Sequence, residues 1–389
     1  MCSFSFFHIV RRAGVCVTVT ALLLFTSCSA KRMILAVHNP SGFDRISQTV
    51  EIPLDDVEQK LGKSDFRKLE FIDSEGAPVA YQITYDGKFI FQTDIKAGET
   101  HSFMLKRGTK IKEFEPKTYA RFIEERKDDF AWENDKVAFR IYGPALKPVD
   151  GPSNGIDAWY KRTGKLIIDK WYQDDLAGKA SYHEDHGEGL DDYKVGRSLG
   201  AGGMAPFMND SLWLNENFAT QELLDNGPVR STFKLVYNKL DVNGKEYAET
   251  RTVSIDAGSQ LTKIIQSYEG VSGTITVAAG LVRREGKDSI VAKDNYVIYA
   301  EPYSSKVENV FLALIFPDGY KTTTVNSYKA GGNSYSHVLA VCDYKSPVTY
   351  YSGYGWSRAG IFSDISVFEK YISRFSESLK VPLKVDYLN

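Results

Sequence analysis

Apolar and polar residues alternate along most of this chain with a period of two. Tyr81, Ile83 and Tyr85 share one face, Asp86-Gly87 turns the chain, and Phe89 and Phe91 alternate back. Asp-Gly between two alternating runs predicts a hairpin. Phe233-Lys234-Leu235-Val236-Tyr237 repeats the pattern, with Asn243-Gly244 as its turn and residues 249–255 pairing back. Residues 137–142, 262–268, 274–279, 296–300, 310–316 and 337–341 read as further strands. Many strands of similar length separated by turn residues predict a sandwich or barrel. A sheet region this long with so few helices favours a large two-sheet sandwich.

The helical period is clear only near the C-terminus. Phe368, Tyr371, Ile372, Phe375 and Leu379 form one apolar stripe at helical spacing. Ser366-Val367-Phe368-Glu369 has capping-box spacing, Pro382 ends the helix, and residues 383–387 return as a last strand. Residues 55–61 read as a short helical turn.

These elements predict a mainly β protein in three parts: a signal segment over residues 1–27, a small β-domain over 28–112, and a large sandwich with a C-terminal helix over 113–389. The Lys-, Arg- and Glu-rich stretch 106–128 reads as a solvated connector that becomes the first strand of the sandwich.

The N-terminus adds a location. Arg11 and Arg12 precede a short apolar run of the length of a secretory signal, too short for a spanning helix. Leu22-Leu23-Leu24-Phe25-Thr26-Ser27-Cys28 resembles a bacterial lipobox, with Cys28 the residue that is lipidated. Ser29-Ala30-Lys31-Arg32 lacks an acidic run, so the expected location is the cell envelope, lipid-anchored and facing the periplasm from the outer membrane. Of the four cysteines, only Cys342 lies beyond Cys28, within an apolar run, so it reads as a core thiol. A net charge of -2 gives no footprint for nucleic acid. The 23 Tyr, 22 Phe and 5 Trp suit both sheet formation and sugar stacking.

Candidate chemistry gathers in Tyr182-His183-Glu184-Asp185-His186-Gly187-Glu188-Gly189-Leu190-Asp191-Asp192-Tyr193-Lys194, followed by Arg197, Gly200, Gly202 and Gly203. The glycines predict a loop, and titratable groups on such loops often build sites. His183 and His186, with Glu188 or Asp191 to orient one of them, are candidates for proton transfer. Tyr193, Lys194 and Arg197 are candidate substrate contacts, and an arginine fork would suit a uronate carboxylate. Trp171, Tyr172 and Trp356 are candidate platforms for sugar rings, whereas Trp159 reads as core. The spacing matches no zinc or EF-hand motif, so no metal or other cofactor is expected. Gly196-Arg197-Ser198-Leu199-Gly200 has the nucleophile-elbow pattern without the strand and helix that the elbow needs.

Three phrases carry a family likeness: Val37-His38-Asn39-Pro40-Ser41-Gly42-Phe43-Asp44-Arg45, the segment 183–203, and Gly353-Tyr354-Gly355-Trp356-Ser357. Through them the chain from Met33 to Leu388 resembles the Bacteroidetes lipoprotein family called domain of unknown function (DUF4861). Ala131-Trp132-Glu133-Asn134-Asp135 with the alternation after it, and Asn226-Gly227-Pro228-Val229-Arg230-Ser231, resemble galactose-mutarotase-like supersandwich domains. The resemblance implies a bacterium that harvests polysaccharides, with uronate-rich glycans as targets. A mutarotase-like acid and base would then be His183 or His186 and Glu301. The expectation is an envelope lipoprotein that processes uronate-containing oligosaccharides by hydrolysis, β-elimination or epimerisation. The alternatives are a non-catalytic glycan-binding lipoprotein and an envelope scaffold.

Overall fold

The computed structural model describes residues 31–63 and 65–388; the signal segment and Cys28 lie outside them. Among the described residues the protein is mainly β, with five sheets and few helices. The local reasons are those the turns announce. Tyr81–Ile83 pairs with Lys88–Ile95 across Asp86-Gly87. Leu240–Val242 pairs with Lys245–Asp256 so that Val242 faces Lys245. Asn243 and Gly244 both take positive φ, at 56° and 77°, as a two-residue type I′ turn requires.

The large core lies between a nine-stranded antiparallel sheet and two five-stranded sheets. The nine-stranded sheet contains Arg230–Val236, Lys245–Asp256, Leu261–Glu269, Val348–Trp356, Val310–Ile315 and Tyr296–Ala300. One five-stranded sheet runs Gly189–Asp191, Ile156–Lys161, Ala138–Ile141, Asp129–Asn134, Thr118–Ile123; the other is built on Ala201–Met208, Ile275–Val282 and Asn333–Tyr344. One continuous cluster, from Trp132 and Tyr160 through Met204 and Leu281 to Leu312 and Tyr354, joins all three sheets. The sandwich expected from the alternation is therefore present, with one of its layers divided into two sheets. Cys342 is buried in it as a free thiol, and burial pushes that thiol up to about 12.

One helix covers an outer face in each layer. Ile168–Leu176 packs Ile168, Trp171 and Tyr172 onto Ala131, Ala138 and Trp159. Ile365–Lys380 packs Phe368 and Ile372 onto Ile298, Phe311 and Ile315. Strands covered on both faces lose their alternation, and Val310–Ile315 is buried at every position. The C-terminal helix is capped by Asp364, whose carboxylate accepts from the amides of Ser366 and Val367. Capping therefore falls two residues before the Ser366 box expected from the sequence, because Ser366 already lies inside the helix.

The N-terminal strands form a four-stranded and a three-stranded sheet around a separate core of Leu35, Val50, Phe71, Phe89, Phe91 and Leu105. Lys384–Leu388 adds to the edge of Arg32–His38 in this unit. The end of the chain, read from the sequence with the large sandwich, thus returns to the first strand. Gln82 bridges the two parts, accepting from the amides of Val229 and Arg230 and donating to the Arg230 carbonyl.

Candidate active site

The glycine-rich segment is not one loop. Gly189–Asp191 is the edge strand of a five-stranded sheet, and Ala201 opens another strand. Gly189 has φ +125°, and a Cβ there would stand 1.9 Å from the Tyr160 carbonyl oxygen. Close backbone approach, as well as turning, accounts for this glycine.

Asp191 ends the edge strand and is buried. Its carboxylate accepts from Arg140 Nη2 at 2.7 Å. Arg140 also gives Nε at 3.0 Å and Nη2 at 2.6 Å to Asp157 Oδ2, and Asp129 lies 3.9 Å away. Arg126 pairs with Asp129 at 3.1 Å. Two guanidinium groups thus face three buried carboxyl groups, a balance that favours keeping one proton. Burial and then the neighbouring Asp191 charge push Asp157 up to about 7. Burial also raises Asp129, against the pull of Arg140 and Arg126. Burial opposes the charge on Arg140, but Asp191, Tyr142 and Asp157 hold it well above its usual value. The rings of Tyr142, Trp159 and Tyr182 surround its guanidinium at 4.8, 5.0 and 5.7 Å.

His183 sits on this base. Its Nδ1 is 3.0 Å from the Asp191 carbonyl oxygen and 3.6 Å from the Asp191 carboxylate. A carbonyl only accepts, so Nδ1 is the donor in this contact. The side chain is 58% exposed, which leaves Nε2 free to meet a ligand. His186 is directed elsewhere, with Nε2 3.1 Å from the Ser181 carbonyl oxygen, in a depression also lined by Lys170, Trp171 and Glu188.

Glu301 approaches the same segment beyond Asp191. It lies 3.4 Å from Arg284 Nε, and Arg284 covers the Tyr193 ring at 4.8 Å and donates to the Lys194 carbonyl at 2.6 Å. Burial raises Glu301, with Arg284 opposing and Asp192 adding to the rise. Lys306 pairs with Asp192 at 2.6 Å. Asp185 ties down the preceding turn: it pairs with Arg162 at 3.1 Å and Arg358 at 3.2 Å and accepts from the amides of Gly187 and Gly189. His183 therefore rests on Asp191, whereas Glu301 reaches Tyr193 and Lys194 through Arg284.

Other expected contacts are differently employed. Trp171 and Tyr172 are buried in the helix Ile168–Leu176, with Trp171 stacked on Trp159 at 5.4 Å. Trp356 is 1% exposed and donates its indole N–H to the Val307 carbonyl at 2.6 Å. None of these three presents a free ring face for a sugar. Tyr193 is 3% exposed beneath Arg284. Arg197 gives its guanidinium to the carbonyl oxygens of Leu214 and Asn215, so its fork is not open to a carboxylate. Glu188 holds Lys170 at 2.5 Å and the Trp171 indole at 3.4 Å. Ser198, the serine of the elbow-like pattern, is buried and donates to the Val195 carbonyl. Sequence reasoning passed over Arg140, Asp157 and Arg284. The available signal for the first two was a charge inside an otherwise apolar run, Arg140 in Ala138–Ile141 and Asp157 before Ala158-Trp159-Tyr160 in Ile156–Lys161. Those residues face each other in the sheet.

Comparison with known proteins defines the class. The family described as Domain of unknown function (DUF4861) matches residues 37–385, and the chain belongs to it. It is 32% identical over 399 residues to "Uncharacterized protein P7" of Formosa agariphila, across 94% of this chain and 97% of that protein. Among solved structures it is similar to a protein in glycosyl hydrolase family 38 from Enterococcus faecalis, with TM-score 0.46, 11% identity and coverage of 92% of this chain and 47% of the other. An α-mannosidase from Enterococcus faecalis V583 gives TM-score 0.45 and 10% identity, covering 92% of this chain and 46% of the other. The chain spans about half the length of these two structures.

Proposed function

We propose that this protein is an enzyme that transfers a proton on a uronate-containing oligosaccharide, with the His183 imidazole as its acid or base. The carrying observation is the chain from Arg140 through Asp191 to His183. Arg140 and Asp157 hold the end of the edge strand, and the Asp191 carbonyl accepts from His183 Nδ1. Nε2 makes no hydrogen bond among the described residues. An imidazole so oriented suits general acid–base chemistry near neutral pH. Glu301, raised by burial, is the candidate second group, and the exposed Lys194 is the candidate cation for a uronate carboxylate. Hydrolysis, β-elimination and epimerisation all draw on such a pair. A pure glycan-binding role would draw on exposed ring platforms, and the burial of Trp171, Tyr172 and Trp356 weighs against it.

The reading extends to location: Cys28 carries lipid, and the protein faces the periplasm from the outer membrane. Metabolic labelling with a tagged fatty acid should be lost in Cys28→Ser, and protease treatment of intact cells should spare the protein.

The test of activity follows proton NMR spectra of uronate oligosaccharides incubated with the mature protein. New anomeric or alkene signals should appear, vanish in His183→Ala and persist in His186→Ala. Equal turnover by wild type and His183→Ala would exclude this role for His183.

A further inference from the structure

A cleft of about 700 Å³ opens between the N-terminal sheets, the outer face of the nine-stranded sheet and the C-terminal helix. It is far from an ordinary seam between packed elements. Ile46, Ile361 and Val367 border it and are 71%, 48% and 39% exposed. On its floor Lys263 and Tyr351 are directly paired on neighbouring antiparallel strands, so their side chains leave the same face side by side. The Tyr351 ring is braced edge-on by Phe375 at 5.2 Å.

The charges around this pair are unevenly matched. Glu51 and Asp256 are both engaged by Arg230, at 2.7 and 2.5 Å. Lys263 has no ion pair or side-chain hydrogen bond among the described residues, and the Tyr351 hydroxyl has none either. Burial, and then Arg230, lowers Lys263 from its usual value, a penalty that an anion would relieve. Burial pushes Tyr351 up to about 12, so its hydroxyl remains a donor at neutral pH. Arg374, lying over the Phe43 ring at 5.6 Å, adds a further cation on the helix side.

We propose that this cleft binds an amphiphilic carboxylate, its carboxylate received by the Lys263 ammonium and the Tyr351 hydroxyl and its apolar body lying along Ile46, Ile361 and Val367. An ammonium beside a neutral hydroxyl offers two donors to two carboxylate oxygens. A cavity of this size suits a small organic ligand, with apolar walls for burial and a few polar groups for orientation. The site lies apart from His183 and stands or falls independently of the proposed catalytic role.

Calorimetric titration of the mature protein with octanoate, octanamide and digalacturonate tests it. Octanoate should bind saturably and octanamide at least tenfold more weakly. Lys263→Met and Tyr351→Phe should each weaken octanoate binding about tenfold or more, and Ile361→Asp should also weaken it. His183→Ala should bind octanoate as wild type does. Tyr351→Phe retains the packed ring, so it reports on the hydroxyl even if Lys263→Met fails to fold. Absence of saturable octanoate binding would overturn the proposal, as would binding indifferent to Tyr351→Phe. Binding of digalacturonate without octanoate would overturn the apolar body.

Discussion

Asp157 stands directly across from Arg140 in the antiparallel pair of Ile156–Lys161 with Ala138–Ile141, and both side chains are almost wholly removed from solvent. Two hydrogen bonds run from the guanidinium to one carboxylate oxygen. The same guanidinium reaches Asp191, which supports His183. A buried ion cluster in the sheet therefore sets the position of an exposed imidazole.

The pH dependence of stability should carry the mark of Asp157. Its carboxyl is raised to about 7 in the fold, above the ~3.9 of an unfolded aspartate. Between those values the native state binds the extra proton, so this group's contribution is full below about pH 4 and declines by up to ~1.4 kcal/mol per unit as pH rises through 7. Asp157→Asn should remove that decline, so its stability difference from wild type should change steadily between pH 4 and 7. Urea unfolding of both proteins from pH 4 to 8 reads it directly. Parallel curves would assign the proton to another carboxyl.

Removing Arg140 should be far worse than removing Asp157. Arg140→Met strands Asp157 and Asp191 in the interior, and an uncompensated buried charge costs about 3–5 kcal/mol. The loss should be larger at pH 8, where more of the carboxyl groups must ionise, than at pH 5. Equal losses at the two pH values would argue against this electrostatic origin.

A second buried pair has two tasks. Lys161 Nζ meets Glu133 Oε2 at 2.6 Å, with both side chains fully buried. Glu133 Oε1 accepts from the amides of Ile167 and Ile168, supplying an acceptor at the start of the helix Ile168–Leu176, which has no side-chain cap of its own. Lys161→Met should cost about 3–5 kcal/mol by leaving the carboxylate unpaired. Adding Glu133→Gln should recover much of this, because the amide is neutral and its oxygen still serves both backbone groups. Thermal unfolding of the three variants measures the coupling, and a double variant no better than Lys161→Met would refute it.

What the sequence disclosed depends on the range of the interaction responsible. Asp86-Gly87 and Asn243-Gly244 specify their hairpins locally, and the stripe from Phe368 to Leu379 specifies its helix. The crowding of charge between Tyr182 and Arg197 drew attention to a segment in which His183 contacts Asp191, and which Glu301 reaches only through Arg284. Trp171 and Tyr172 are not open platforms because the helix Ile168–Leu176 packs them onto one sheet face, against Trp159, whose reading as core holds. The short 168–176 pattern did not announce that helix. Arg197 was assigned to substrate because the carbonyls of Leu214 and Asn215 lie 17 and 18 residues away in sequence. Arg140 and Asp157 were missed for a related reason: only the strand register brings their two isolated charges together.

Glycine substitutions should separate turning from close approach within the site. Gly187 and Gly189 both have positive φ, at 101° and 125°. A Cβ at Gly187 would meet nothing within 4 Å, whereas one at Gly189 would strike the Tyr160 carbonyl at 1.9 Å. Gly187→Ala should therefore cost about 1 kcal/mol from backbone strain alone. Gly189→Ala must also push the edge strand away from Ile156–Lys161, and should cost clearly more. Because that strand ends in Asp191, the shift would also draw the carbonyl away from His183 Nδ1. The His183 ring signals in a proton–nitrogen NMR spectrum should then move in Gly189→Ala and hold nearly still in Gly187→Ala. Unchanged ring signals in Gly189→Ala would mean that the edge strand does not position the imidazole.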